Sequence, residues 1–544
     1  LNKAGRIIIS LILGIIYGAM YSVGKHMTSA GTLHGFKAEI FSLLLSIGVG
    51  VVASYVIIAL LDWYRDRALL AVEAAFNWKV FLRDWAIIFL CWIPIWLAAY
   101  PGFFCYDQSG IYDMYLAGEI TAKHSPLLYF IIGFFIDCFY KMSGDYNLGI
   151  AVYVVLQMLV VSCCHAYLLS FVRSRLSGRK VLCAILLLYY ALFPVISMFG
   201  ACTTKDVLFS AFAEVVVILV CKILDSPETN LGFGSVALCF LLVASLMLLC
   251  RRNGIYAYAL AIPFAVFFCR SKRIFATLLF VAVLCINVFI VSFVYPLCHV
   301  KADKGLDMYC IPIQQLARAY NYDNEVFTAE QKELMNKVFN EHSLNNYCPV
   351  SADNAKYKFK TSKYLKNKAE YQNLWLSIGK KAPITYIDAF LMNTLYAWYP
   401  DSVIDGYQQL GDAWGWGHMY SETETSYFSC DVESPGTFDS KLPWLYDRLF
   451  YISRYVSFQK IPVLSWLFSV GAMNWLLLFV VAYLIYKKEF DKLGSLIYPV
   501  LLVATVLFGP MVLVRYYLVN FYLMAFLVMC LVTPGRKGTQ IRYK

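Results

Sequence analysis

The run Tyr100-Pro101-Gly102-Phe103-Phe104-Cys105-Tyr106-Asp107, continuing past Asp113 and Glu119 to Lys123-His124-Ser125-Pro126-Leu127-Leu128-Tyr129, decides how this chain is read. It sets five ionisable side chains, Asp107, Asp113, Glu119, Lys123 and His124, between two strongly apolar segments. Charges at a membrane boundary cost free energy unless they face water or a ligand, so the stretch is a functional candidate by default. Its second flank, residues 126 to 141, also controls the topology, because whether it crosses decides the side on which everything after it lies.

Working outward, the 544-residue chain is 60% hydrophobic, 17% aromatic and 15% charged, with a mean hydropathy of +0.62. A soluble domain carries roughly 25% charged residues, so the polar complement is too small to cover a globule of this mass. The composition predicts an all-α polytopic membrane protein. Apolar segments lie at about 6–23, 38–61, 84–100, 126–141, 148–172, 180–199, 206–224, 235–250, 254–269, 274–296, 463–486, 494–509 and 515–532. Each approaches the roughly 20 residues that a span requires. The first is followed by no small-residue cleavage site and reads as a span rather than a leader.

Orientation follows from Lys and Arg in the short connections. Twenty-one of them, among them Arg65, Arg83, Arg173, Arg179, Lys487 and Lys492, belong to one face, and only eight, including Lys205, Arg251, Arg252 and Arg515, to the other. Both termini are therefore expected in the cytoplasm, which demands an even number of crossings. Thirteen segments conflict with that. The segment 126–141 is short, starts at Pro126 and contains Asp137, so it is expected to be a re-entrant or juxtamembrane helix on the outer side, leaving about twelve transmembrane helices.

The domain plan is then two additional N-terminal spans in 1–83, a transmembrane core in 84–296 with its first outer loop at 101–147, a mainly helical extracytoplasmic insert at 297–461, and the last spans and a cytoplasmic tail in 462–544. The insert is nearly neutral, so the formal charge of +11 belongs to cytoplasmic loops facing anionic lipid. Nucleic acid is excluded as a partner, and membrane lipids are expected. The 17 cysteines lie mostly in apolar segments without metal-ligand spacing.

Within the insert, Thr328-Ala329-Glu330-Gln331 has the form of a capping box ahead of a short helix. Pro383 starts a second helix that Pro400 ends; its wide apolar face suits either the membrane surface or a core. Residues 401 to 443 read as a long loop whose Trp414, Trp416 and His418 are candidate sugar-stacking groups, as is Tyr112 in the first loop.

Several cations share the outer face: Lys205 in Gly200-Ala201-Cys202-Thr203-Thr204-Lys205-Asp206, the tandem Arg251-Arg252, and Arg515. At mid-helix each would cost about 2.5 to 3.5 kcal/mol, so they must face headgroups, a watery cavity or an anionic ligand. Arg251 and Arg252 point about 100° apart on a helix, so one pocket takes at most one of them. With His124, these residues are the candidate phosphate binders, since Arg offers a bidentate fork.

Tyr106-Asp107, followed by Tyr112, Gly118 and His124-Ser125-Pro126-Leu127-Leu128-Tyr129, resembles the first extracytoplasmic loop of the GT-C membrane glycosyltransferases. In that superfamily, which includes protein O-mannosyltransferases and the lipid A aminoarabinose transferase, an acidic residue precedes a His-Pro-Pro-Leu-Tyr-like sequence. The resemblance extends over residues 84 to 300 and implies a GT-C-like fold. It also implies transfer of a sugar from a polyprenyl-phosphate carrier to a glycan, lipid or protein acceptor of the cell envelope, at the outer face of the cell membrane. Asp107 matches the family's catalytic acid and would act as general base in an inverting displacement, which needs one carboxylate opposite the leaving group and cations on the departing phosphate. The loop lacks an Asp-x-Asp or Glu-x-Asp pair, so a divalent metal is possible but not required and no cofactor is assigned. Aromatic neighbours are expected to desolvate Asp107 and raise its pKa towards neutrality, whereas Asp206 beside Lys205 is expected to be a poorer base. A lipid or oligosaccharide transporter and a non-catalytic sugar-binding scaffold are the competing readings.

Overall fold

A computed structural model describes residues 3–67, 76–176, 178–225, 233–268, 273–303, 305–345, 347–403, 428, 430–455, 458 and 461–535. These are helical, with β-pairing limited to isolated bridges. Among the described residues eight helices are long and apolar enough to cross a membrane, or up to ten if each of two bent pairs makes one span. The protein is a multi-pass membrane protein on this ground. Seven of the eight fall where spans were expected, and the eighth is Pro126–Ser143. The segments at 180–199 and 515–532 are the bent pairs, broken by 48° before Pro194 and by 41° near Leu523.

Helices α1 (Lys3–Ala30) and α2 (Ile40–Arg67) form a hairpin. Gly14 and Gly18 let the backbones touch: a Cβ on Gly14 would come within 2.4 Å of the Val51 backbone nitrogen, and one on Gly18 within 2.4 Å of the Ile47 backbone. Helix α3 (Trp78–Ala98) begins at Asn77, whose side chain accepts the Lys79 and Val80 N–H groups. Then come the short α4 (Gln108–Leu116), α5 (Pro126–Ser143) and the 30-residue α6 (Tyr146–Arg175).

Helix α5 is the element on which the number of crossings turns. It has an N-cap Ser125, Pro126 in its first turn and a left-handed Gly144 at its end, and at 18 residues it is long and apolar enough to be a candidate span. Asp137 does not shorten it, because its carboxylate accepts the Tyr112 hydroxyl at 2.8 Å. Asp145 caps α6 in turn, and the two helices pack closely where a Cβ on Gly149 would lie 2.7 Å from the Ile136 Cα.

Helices α7 (Lys180–Leu192), α8 (Pro194–Gly200), α9 (Lys205–Asp225), α10 (Phe233–Cys250), α11 (Gly254–Phe268) and α12 (Arg273–Phe289) complete the first part of the bundle. Helix α12 runs into a π-helical turn at Ile290–Val294, a distortion often found at functional sites. Charged side chains gather at one end of the bundle. Asp62 meets Arg6 at 2.9 Å and also Lys487, Asp84 meets Arg173 at 2.6 Å, and Arg65 meets Glu489.

The insert has a separate core built from residues such as Ile313, Leu316, Met335, Tyr347 and Ile378. Its capping box is present as read, with Gln331 N–H donating to the Thr328 hydroxyl at 3.2 Å and Thr328 N–H to Gln331 Oε1 at 3.0 Å. The helix Pro383–Trp398 joins the two cores: Met392 and Leu395 are buried in the bundle core and Tyr386 in that of the insert, while Ile384 and Ile387 of its apolar face stay exposed. The α1–α2 connection docks on this domain. Arg318 donates to the Gly31 carbonyl at 2.6 Å, and Asp388 accepts the Thr32 hydroxyl at 2.5 Å and Leu33 N–H at 2.8 Å.

Candidate functional site

Two loops make the site by lying side by side. Phe103 N–H donates to the Ala201 carbonyl at 3.0 Å and Thr203 N–H to the Phe103 carbonyl at 3.1 Å, a short parallel bridge between Phe103 and Cys202. Gly102 permits the approach, since at its φ of 136° a Cβ would strike Val154 at 2.6 Å. The bridge brings Asp107, four residues past Phe103, towards Lys205, three residues past Cys202. Tyr106 and Asp107 both adopt left-handed backbone, with φ of 59° and 76°. Such geometry is costly for non-glycine residues and concentrates at functional sites.

Around the Asp107 carboxylate stand His124 Nδ1 at 3.8 Å and Arg515 Nη1 at 3.9 Å. Lys205 Nζ donates to His124 Nδ1 at 3.1 Å. Burial alone would raise the Asp107 carboxyl, but the charges of Lys205, Arg515 and His124 outweigh it and hold the group at about 2. This overturns the expectation of a near-neutral pKa: the aromatic neighbours are there, but so are cations that the sequence could not place. Burial lowers His124 first, and Lys205 adds to it, bringing the ring to about 3. His124 is therefore neutral at pH 7, accepting from Lys205 through Nδ1 with its proton on Nε2. The Asp107 side chain keeps 35% of its surface open while the Arg515 side chain keeps 4%, so a ligand can reach the carboxylate past fixed cations.

Behind this pair lies a second layer. Asp206 is fully buried, with Arg251 Nη1 at 3.0 Å and Arg515 Nη1 at 3.9 Å. Arg251 stacks on Tyr516, its guanidinium 4.7 Å from the ring centroid, and Arg515 stacks on Tyr106 at 4.5 Å. The tandem arginines diverge, though they lie in the turn between α10 and α11 and not on a helix as expected. Arg252 turns the other way, donating to the Ala122 carbonyl at 3.1 Å and reaching Asp303 at 3.3 Å. It lines a cavity of about 280 Å³ together with His124, Ser125, Leu249, Tyr256 and Val291. The cavity runs between α10, α11, α12 and the π-helical turn, with mainly aliphatic and aromatic walls and the polar groups of His124 and Arg252 on its lining.

Not every candidate arrives. Tyr112 is buried, 3% exposed, with its hydroxyl donated to Asp137 and its ring stacked on Tyr115. It is a packing residue rather than an open sugar platform, because α4 lays it against α5. Trp414, Trp416 and His418 lie outside the described residues. Asp113 is exposed.

The structure also brings residues that the sequence reading passed over. Glu433 Oε2 accepts Ser109 N–H at 3.1 Å, and Glu433 N–H donates to the Phe104 carbonyl at 2.7 Å, so this carboxylate braces the loop of Asp107. Burial raises its pKa, and the neighbouring negative charges of Asp107 and Asp431 raise it further. From the insert, Lys356 sits between Asp307 and Asp353, each at 2.7 Å. Burial would raise Asp307, but Lys356, and beyond it Lys123 and Lys205, hold it below the usual carboxylate range. The insert thus faces the cations. Glu433 lies 324 residues from Ser109 in the chain, which leaves no local signal for it; only the long-loop character of 401–443 pointed near it. Among the described residues no three His, Cys, Asp or Glu side chains converge as metal ligands, and the groups nearest the Asp107 carboxylate are the His124 ring and the Arg515 guanidinium.

Residues 114–542 match the family described as "Family of unknown function (DUF6020)". His124, Lys205, Arg251, Arg252 and Arg515 fall inside the matched stretch and Asp107 precedes it. No curated protein and no solved structure matches the chain.

Proposed function

We propose that this chain, which belongs to the DUF6020 family, is a membrane glycosyltransferase that moves a sugar from a polyprenyl-phosphate carrier to a cell-envelope acceptor. One observation carries the reading: an open carboxylate, Asp107, stands among His124, Lys205 and Arg515, next to an aliphatic-walled cavity shared by His124 and Arg252. A polyprenyl chain suits the cavity, and its phosphate suits the cations. The acceptor enters from the insert side, past Asp307 and Glu433.

In the reaction Asp107 takes the proton of an acceptor hydroxyl while that oxygen forms a bond to the anomeric carbon. The carbon–oxygen bond to phosphate breaks on the opposite face, so the configuration inverts and the lipid phosphate leaves onto Lys205, Arg251 and Arg515. The low pKa of the ligand-free carboxyl fits this cycle. A bound phosphate draws the same cations away from Asp107, and its own negative charge raises the carboxyl pKa, so the base becomes effective when the donor is present.

The topology that goes with this reading has twelve spans in a GT-C-like arrangement, both termini in the cytoplasm, and residues 297–461 outside the cell membrane. Supporting it, the charge clusters of Asp62, Asp84 and Glu489 sit at one end of the bundle and the site at the other, and the α1–α2 connection meets the insert. Helix α5 starts where Ser125 donates to the Leu249 carbonyl at 2.7 Å and ends beside Asn147, which donates to the Thr437 carbonyl at 2.7 Å. Both neighbours belong to the site end, which supports an α5 that returns without crossing.

Asp107→Asn keeps the shape and removes the basicity. Transfer from a polyprenyl-phosphate sugar by the purified protein is expected to fall by about 10²-fold or more, with donor binding retained. Turnover within a few fold of the wild type sinks the assignment and favours a transporter.

A further inference from the structure

We propose that Cys105 and Cys202 form a disulfide that clamps the loop of Asp107 to the loop that starts α9 at Lys205. The two sulfurs lie 3.7 Å apart, and both residues are 0% exposed. They sit on adjacent segments already held in register by the Phe103–Cys202 bridge. A disulfide needs about 2.05 Å between sulfurs, so the two sulfurs, already in contact at 3.7 Å, must draw together for the bond to form. The other 14 described cysteines include mostly residues on helices within the bundle, whereas this pair stands beside the reactive groups. Cys430, also buried, follows the Phe428 ring that packs on Phe103 at 5.0 Å between centroids.

The inference rests on the proposed topology in one respect, that this end of the bundle faces the oxidising side of the membrane. The step is thiol–disulfide exchange with a protein disulfide of that compartment. One cysteine, as thiolate, attacks the oxidant's disulfide and forms a mixed disulfide; the second displaces the oxidant, which leaves as a dithiol carrying both electrons and both protons. Exchange occurs while the chain folds, before both sulfurs are covered. The product holds Asp107 and Lys205 at a fixed separation whether or not a ligand is bound between them, which is the preorganisation that an electrostatic site requires.

The test is direct. Membranes from cells making the full chain are dissolved in denaturant containing N-ethylmaleimide, and the protein is digested without reductant and analysed by mass spectrometry. The expected result is a cross-linked peptide pair holding Cys105 and Cys202, lost on reduction and in Cys105→Ser, with Cys430 alkylated. Finding Cys105 and Cys202 both alkylated, or either one joined to Cys430, overturns the proposal. A Lys301→Cys variant, at a side chain 59% exposed on the segment bridged to Thr121, separates the two ideas. If an impermeant maleimide labels it on intact cells while the disulfide is absent, this inference alone fails. If it is not labelled and the disulfide is absent, the topology fails as well.

Discussion

Arg251→Ala isolates the buried ion pair behind Asp107. Asp206 is 0% exposed and draws on Arg251 at 3.0 Å, Arg515 at 3.9 Å and the Thr204 hydroxyl at 3.3 Å. Removing one partner of a buried pair leaves an uncompensated charge and costs about 3 to 5 kcal/mol. Arg515 remains within Coulombic reach, so the lower end, about 3 kcal/mol, is expected here. Asp206→Asn removes the orphaned charge at nearly constant shape. In the double variant the loss should shrink to about 1 kcal/mol, the share of the guanidinium stacked on Tyr516. Unfolding equilibria in mixed detergent micelles, read by near-ultraviolet circular dichroism, measure all four corners of this cycle. A single variant within about 0.5 kcal/mol of the wild type, or a double variant no better than the single, refutes the ion-pair argument. Donor binding should stay weakened in the double variant, because the cation is missing in both.

Acid titration offers a second check. Asp107, held at about 2 when folded against roughly 3.9 unfolded, contributes stability that is full above the unfolded value and is lost as the pH falls towards 2. His124, at about 3 when folded against roughly 6.5 unfolded, also makes stability fall as the pH drops below 6.5; thermal melts of Asp107→Asn and His124→Gln should each show a shallower acid slope than the wild type. Lys205→Ala and Arg252→Ala should each weaken binding of a polyprenyl phosphate by about ten- to a hundredfold, the value of one charged hydrogen bond, measured by isothermal titration; unchanged affinity in both removes the phosphate site. Gly149→Leu should lower stability by about 1 to 3 kcal/mol, because its Cβ would meet Ile136 backbone at 2.7 Å; an unchanged unfolding midpoint contradicts the close α5–α6 contact.

What was legible in the sequence was local. Ser125-Pro126, the Thr328–Gln331 box and Pro383 carry helix starts within four residues, and hydropathy marked the spans. The divergence of Arg251 and Arg252 was anticipated from helical pitch, but the two sit in the turn between Cys250 and Gly254, so the turn rather than a helix sets it. What escaped was set by contacts between distant segments. Hydropathy treated 180–199 as one straight span, although Phe193-Pro194 breaks it. The pKa of Asp107 was misjudged because desolvation can be guessed from adjacent aromatics, while the opposing field comes from Lys205 and Arg515. Glu433 was missed because a lone acid in a long loop carries no pattern until the loop is seen against Ser109.

The 28-residue α1 is pinned near both ends, by Arg6 on Asp62 at one and through the Gly31–Leu33 turn on Arg318 and Asp388 at the other. Midway, the Tyr17 hydroxyl donates to the Trp475 carbonyl at 2.8 Å. An α-helix is stiff along its axis at about 1.5 Å per residue, so this one behaves as a strut between floor and roof. The insert cannot lift away from the bundle without breaking the strut's upper fastening. A second fastening, Ala352 N–H on the Pro510 carbonyl at 2.7 Å and Asn393 on the Gly509 carbonyl at 3.2 Å, ties the insert to the last spans as well, so it is braced at two separate points.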